Sequence, residues 1–297
     1  MEKIEFYKNR SLSERFSASI DFLKQNWKVL YKNVLIGAIP LAIFIGYFAQ
    51  YYETAWLTRI YSGGGGIPNL PFIFLYFVLM IILMIYLNAM PGAILKKYGE
   101  GKLTPSTGWG DLSGTMFSLS GKSFAVGFII WIIIMITIAI IAAIVGMLFS
   151  GIVSGGAMII IIPIIMVIAL GFIFIFAPSL TLAPYPAYFS EARIWESIKI
   201  AFGMGFRNWG SIIVTLILAG ITIYVITIIF AIPSIVTAMF SPGKISLLTF
   251  IFSFLIFLGE ILTYPIMFIF IAFQYFSIME KEQGVSLQSK VSEFENL

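Results

Sequence analysis

Apolar residues in this chain fall into six long runs separated by short polar segments: Val34–Tyr51, Phe72–Leu95, Phe124–Phe149, Ala157–Leu182, Ser211–Phe240 and Ser246–Ile278. A helix rises about 1.5 Å per residue, so about 20 residues cross the hydrocarbon of a bilayer. Backbone polar groups in lipid must be satisfied within the segment, which makes each run a helix. Barrel strands would alternate polar and apolar residues, and these runs do not. The last two are longer than a bilayer requires. They are expected to tilt, to kink at Pro233 and Pro265, or to protrude. The predicted class is an all-α polytopic membrane protein with six transmembrane helices arranged as three hairpins.

The polar segments carry their own pattern. Ser11 and Glu14 have the spacing of a capping box, with Ser11 as N-cap and Glu14 reaching back. Leu12, Phe16, Ile20, Leu23, Trp27 and Leu30 then follow at steps of three and four, which puts them on one helical face. Lys24, Lys28 and Lys32 lie toward the other side. Such a helix is expected to rest on the membrane surface, with Trp27 at headgroup depth. A second helix of this kind is read from Ser190, Ile194, Trp195, Ile198 and Phe202, leading through Arg207 and Asn208 to Trp209. Trp27, Trp195 and Trp209 are the expected interfacial anchors. Between these two, Trp109, Leu112, Met116 and Phe117 give a weaker version, interrupted by Gly108, Gly110, Gly114 and Gly121, which lower helix propensity.

Three prolines, Pro91, Pro178 and Pro265, recur at equal spacing, each late in the second run of a hairpin. Proline removes one backbone hydrogen bond and bends a helix, so these are candidate hinges or kinks. Together the features define one membrane domain, residues 1–297, built from three units of about 10–100, 104–189 and 190–281 and ending in a polar tail, 282–297. Each unit is one cytoplasmic amphipathic interfacial helix followed by a transmembrane hairpin.

The segment 177–191 reads APSLTLAPYPAYFSE, followed by Glu196–Phe202 and by Arg207, Asn208 and Trp209. This stretch resembles the membrane domain attached to some bacterial glycerophosphodiester phosphodiesterases, and related six-span bacterial membrane proteins. The resemblance implies an architecture and a bacterial inner membrane. It carries over no catalytic residue: the phosphodiesterase domain has no room here, and its histidines have no counterpart in a chain without histidine.

Charge assigns the sides. Basic residues gather before the first run (Lys3, Lys8, Arg10, Arg15, Lys24, Lys28, Lys32). They recur after the second (Lys96, Lys97, Lys102, Lys122), after the fourth (Arg193, Lys199, Arg207) and after the last (Lys281, Lys290). Only Arg59 and Lys244 fall on the opposite side. Positive charge stays cytoplasmic, so both termini are expected inside. The net charge of +4 reflects this sorting and gives no reason to invoke nucleic acid. The basic face could hold anionic lipid headgroups. The first 33 residues lack the short apolar core of a secretory signal.

Cysteine and histidine are both absent, which removes thiolate nucleophiles, imidazole bases and the usual zinc and haem ligands. No cofactor or metal is called for. The Gly63–Gly66 run is expected at a loop tip. Gly121-Lys122-Ser123 resembles the end of a phosphate-binding loop, but Met116 stands where that motif requires glycine. Gly151–Gly155 reads as a tight hairpin turn. Glu260 is the one acid well inside an apolar run, with no basic residue in any run to pair with. A charge at that depth costs about 2.5–3.5 kcal/mol. Thr249, Ser253, Glu260 and Tyr264 share one helical face, expected to point into the bundle toward Tyr86, Asn88, Thr215 and Thr222. That stripe is either a proton or substrate site, or a neutral acid bonded to a neighbouring helix. The repeat-equivalent positions, Tyr86 and Ile173, are not acidic. The reading favoured is a non-enzymatic anchor, assembly subunit or regulator with a protein partner. The alternative is a transporter or lipid-handling protein using Glu260.

Overall fold

The computed structural model describes residues 3–62, 70–149, 158–190, 192–240 and 247–287. Among them are eight helices and no strand: α1 (Leu12–Ser62), α2 (Leu70–Gly99), α3 (Trp109–Phe149), α4 (Met158–Leu182), α5 (Pro184–Phe189), α6 (Ile194–Arg207), α7 (Trp209–Phe240) and α8 (Leu247–Gln283). Six helical stretches are long and apolar enough to cross a membrane. The chain is an all-α multi-pass membrane protein that contacts a lipid bilayer. The Gly63–Gly66 and Gly151–Gly155 turns, Lys244 and residues 288–297 lie outside the described residues. The start of the expected tail is folded: residues 285–287 are helical, and Ser286 donates its backbone N–H to the Glu280 carboxylate at 2.9 Å.

The three polar segments end up differently. The first is continuous with its span, giving a single helix of 51 residues. Its capping box forms as the spacing requires: the Ser11 N–H reaches Glu14 Oε2 at 2.7 Å, and the Glu14 N–H reaches Ser11 Oγ at 3.4 Å. No glycine or proline separates Ser11 from Val34, so nothing stops the helix once nucleated. The second is likewise continuous, in α3. Its glycines, each costing about 1 kcal/mol of propensity, do not interrupt it. Only the third stands apart as α6, ending at Asn208, whose N–H bonds the Met204 carbonyl.

Contacts divide the chain into two compact units, Met1–Ser120 with Thr215–Leu297, and Gly121–Val214. The division cuts across the sequence units. In the first, α1 packs along α2 and α8, and α2 packs on α8. From Phe268 to Met279 every residue of α8 is buried, as expected of a central helix that is apolar nearly all round. Phe16 stacks on Phe270 with ring centroids 4.7 Å apart. Burial is lopsided along the spans. It covers Leu83–Leu95 in the second half of α2 except at Met84, Ile85 and Asn88, while Phe74 in its first half is 72% exposed. Lipid solvates such apolar surface as well as a protein neighbour does, so helices in a membrane associate through close packing and polar contacts rather than a hydrophobic drive.

Gly37 shows that close packing. A Cβ there would lie 2.4 Å from the Tyr86 ring, and the space lets Tyr86 Oη donate to the Asn33 carbonyl at 2.5 Å. In the second unit α6 packs on α4 and α5. A Cβ on Gly205 would meet Ser179 Oγ at 2.2 Å and its Cα at 2.7 Å. All three spaced prolines, Pro91, Pro178 and Pro265, are buried inside helices α2, α4 and α8.

The Gly205→Ala variant is therefore expected to lose about 1–3 kcal/mol through overpacking. Gly114→Ala, on an exposed turn of α3 with nothing within 4 Å, should gain about 1 kcal/mol of helix propensity. Thermal unfolding of both variants in detergent checks the opposite signs.

Candidate functional site

The intramembrane stripe is only partly where its pattern put it. Tyr264 is half-buried and its Oη accepts from Asn88 Nδ2 at 2.8 Å, tying α8 to α2. The same Asn88 nitrogen also reaches the Met84 carbonyl. Glu260, expected to point into the bundle, instead lies exposed, while Gly259, Ile261, Thr263 and Pro265 around it are buried. Thr263 Oγ1 donates to the Glu260 backbone carbonyl at 3.0 Å. Among the described residues its carboxyl has no hydrogen-bond partner. Thr249 and Ser253 belong to α8, but their side chains lie outside those described. The other expected neighbours are engaged elsewhere: Tyr86 with Asn33, Thr215 with Gln274, and Thr222 with the Leu218 carbonyl. The correction has a simple cause. Of the stripe residues whose side chains are described, Glu260 lies on the open side of α8 and Tyr264 at its edge. At the repeat-equivalent positions Tyr86 is buried and Ile173 is exposed.

The tryptophans also divide. Trp27 and Trp195 are 53% and 55% exposed, each beside a lysine ammonium: Lys28 at 5.7 Å and Lys199 at 5.9 Å from the ring centre. Trp209 instead packs edge-on against Phe174 and donates Nε1–H to the Ile175 carbonyl at 3.2 Å.

Sequence reasoning missed the polar seam between the N-terminal part of α1 and the last turns of α8. Gln274 is fully buried. Its Oε1 accepts from Arg15 Nη1, and from Thr215 Oγ1 at 3.0 Å. Ser277 Oγ receives the Arg10 N–H at 3.1 Å. Phe6, in the segment before α1, stacks on Phe276 at 4.7 Å and on Tyr98 at 5.6 Å, and meets Phe273 edge-on. Arg10 lies over Phe273. The residues of the seam are far apart in sequence, so no local pattern announces it. Lone polar residues in an otherwise apolar run, Gln274 and Ser277, were the one available signal.

The face that α1 buries also differs from its apolar stripe. Ser19, Phe22, Val29, Leu30 and Asn33 are buried, about a quarter turn from the stripe's centre at 100° per residue. Four of the five equivalent positions in α6 and α7, counted from Asn26-Trp27 to Asn208-Trp209, are also buried, Ala201, Met204, Ile212 and Thr215, while Ser211 in the place of Val29 is half-buried. Asn26 and Asn208 make the same bond, donating Nδ2–H to the carbonyls of Phe22 at 3.0 Å and Met204 at 3.2 Å.

The segment 177–191 owes much of its composition to packing. Pro178, Ser179, Leu182, Ala183 and Tyr185–Tyr188 are all buried. Ser197 Oγ donates to the Ala183 carbonyl at 2.7 Å and accepts the Ala187 N–H at 2.9 Å. Lys122 Nζ reaches the Ala187 carbonyl at 2.7 Å, so the lysine of the loop-like motif has a structural partner. Compared with known protein families, with curated proteins and with solved structures, the chain matches none.

A double-mutant cycle on Asn88→Ala and Tyr264→Phe should give a coupling of about 0.6 kcal/mol, at most about 1.7, as for other interhelical hydrogen bonds in membranes. Burial lifts the Tyr7 phenol above its ordinary value of 10.0. The docked segment therefore favours the neutral form, and its stability is full below pH 10 and falls as pH rises past it. Proteolysis of the N-terminal segment should accelerate above about pH 10, and Tyr7→Phe should flatten that rise.

Proposed function

We propose that this chain is a non-enzymatic bacterial inner-membrane protein with both termini cytoplasmic, acting as an anchor, assembly subunit or regulator. The observation that carries the reading is Glu260. An acid on the open side of α8, without a partner among the described residues, is costly in lipid. A helix of another subunit that supplies a donor or a cation relieves that cost. Asn88 and Tyr264 on the same side extend the polar surface such a helix would meet. The sorted basic residues support the orientation. The shared burial pattern and the matching Asn26 and Asn208 bonds support the internal repeat. The exposed Trp27 and Trp195, each with its lysine, support amphipathic helices that meet the membrane surface.

Native mass spectrometry of protein taken from membranes into mild detergent tests this. The expected result is a stoichiometric protein partner, either a second copy or another chain, lost in Glu260→Leu and largely kept in Glu260→Gln. A wild-type mass equal to one chain, with no protein bound, overturns the reading. The same carboxyl beside the buried Pro265 supports a second reading, a transporter or lipid-handling protein, since transporter sites lie mid-membrane at broken helices. Unchanged uptake and lipid composition in Glu260→Gln would remove it.

A further inference from the structure

Between the N-terminal segment and α1 lies a cavity of about 630 Å³, lined by Lys3, Ile4, Glu5, Lys8, Arg10, Asp21, Lys24 and Gln25. That volume is within the range of small-molecule sites, about 300–1,000 Å³. Among the described residues, four cations line it against two carboxylates. Among the described residues no ion pair joins these groups, and Glu5 and Glu14 act on Arg10 only through space. Arg10 is held instead by backbone carbonyls, those of Phe6 and Glu5.

The wall of the cavity is fixed in place. The Ile4 N–H donates to Tyr98 Oη at 2.9 Å, and Tyr98 Oη donates to Gln25 Oε1 at 3.1 Å. Lys3 Nζ reaches the Gly99 carbonyl at 3.2 Å. Phe6 anchors the segment from beneath through its stacking on Phe276. Lys3 and Arg10 are thus held in place before any ligand arrives, which lowers the ordering cost of binding.

We propose that this cavity binds a phosphate group. Lysines offer point charges suited to phosphate, and the two acids can accept from hydroxyl or amino groups attached to it. Two sources supply that chemistry, a water-borne phosphorylated compound and a lipid headgroup. The proposal does not rest on the assembly reading.

The test uses the full chain in phosphatidylcholine nanodiscs, with inorganic pyrophosphate titrated by calorimetry. A parallel set measures retention of phosphatidylglycerol from mixed nanodiscs by native mass spectrometry. Lys8 and Lys24 are exposed, so Lys8→Gln with Lys24→Gln leaves the packing intact, which thermal unfolding checks. Each lysine near an anionic group is worth roughly fivefold in affinity, so the double variant should bind roughly 25-fold more weakly. Lys102→Gln, at an exposed ion pair outside the cavity, should bind as wild type. Saturable pyrophosphate binding lost in the double variant supports a water-borne ligand. No pyrophosphate binding, but phosphatidylglycerol retention lost in the double variant, supports a headgroup. If wild type and double variant behave alike in both arms, the proposal fails.

Discussion

The docking of α1 against the last turns of α8 holds the larger compact unit together. Apolar contact alone cannot do this in a membrane, because lipid tails compete equally well for apolar side chains. What distinguishes α8 as a partner is polar: Gln274 and Ser277 are buried in an otherwise apolar helix. Each is satisfied from the N-terminal side, by Arg15 and by the backbone of Arg10. A buried amide left without a partner costs more than a well-made bond contributes, so the seam fixes the register of the two helices. Phe16 on Phe270 and Phe6 on Phe276 then fill the space around it.

That arrangement gives α1 three faces instead of two. One is buried in the seam, one is apolar and half-open with Trp27 at its edge, and one carries Lys24, Lys28 and Lys32. An interfacial helix needs only an apolar and a charged face. Here the packed face is added beside them, so a single helix can be bound to the bundle and still touch the membrane surface. Its continuity with the span makes the orientation rigid, since no break lies between Trp27 and the hydrocarbon.

Much of this fold was legible in the sequence because the bilayer leaves few choices. An unbroken apolar run must be helical, and the capping box at Ser11 and the proline spacing mark positions through local rules. Fusion of the first two polar helices to their spans is not legible, since propensity sets the glycines of α3 against a continuous helix and packing does not. The candidate site was less legible. The pattern points the stripe on α8 inward, because polar residues in a bundle usually face one another. Nothing in the α8 sequence says which side a neighbour covers, and Glu260 falls on the open one. The Arg15–Gln274 and Phe6–Phe276 contacts join residues some 260 positions apart, beyond the reach of any periodic pattern.

The seam also sets an order of events during biosynthesis. The N-terminal segment and α1 emerge from the ribosome first, and α8 is threaded into the bilayer last of the eight helices. Until then Arg15 has no Gln274, and the pocket for Phe6 lacks Phe273 and Phe276. Early spans can insert one hairpin at a time, but the larger unit cannot close before the final hairpin arrives. A stalled or truncated nascent chain would leave Phe6 and the backbone of Arg10 undocked at the membrane surface, a clear mark for quality-control proteases to read.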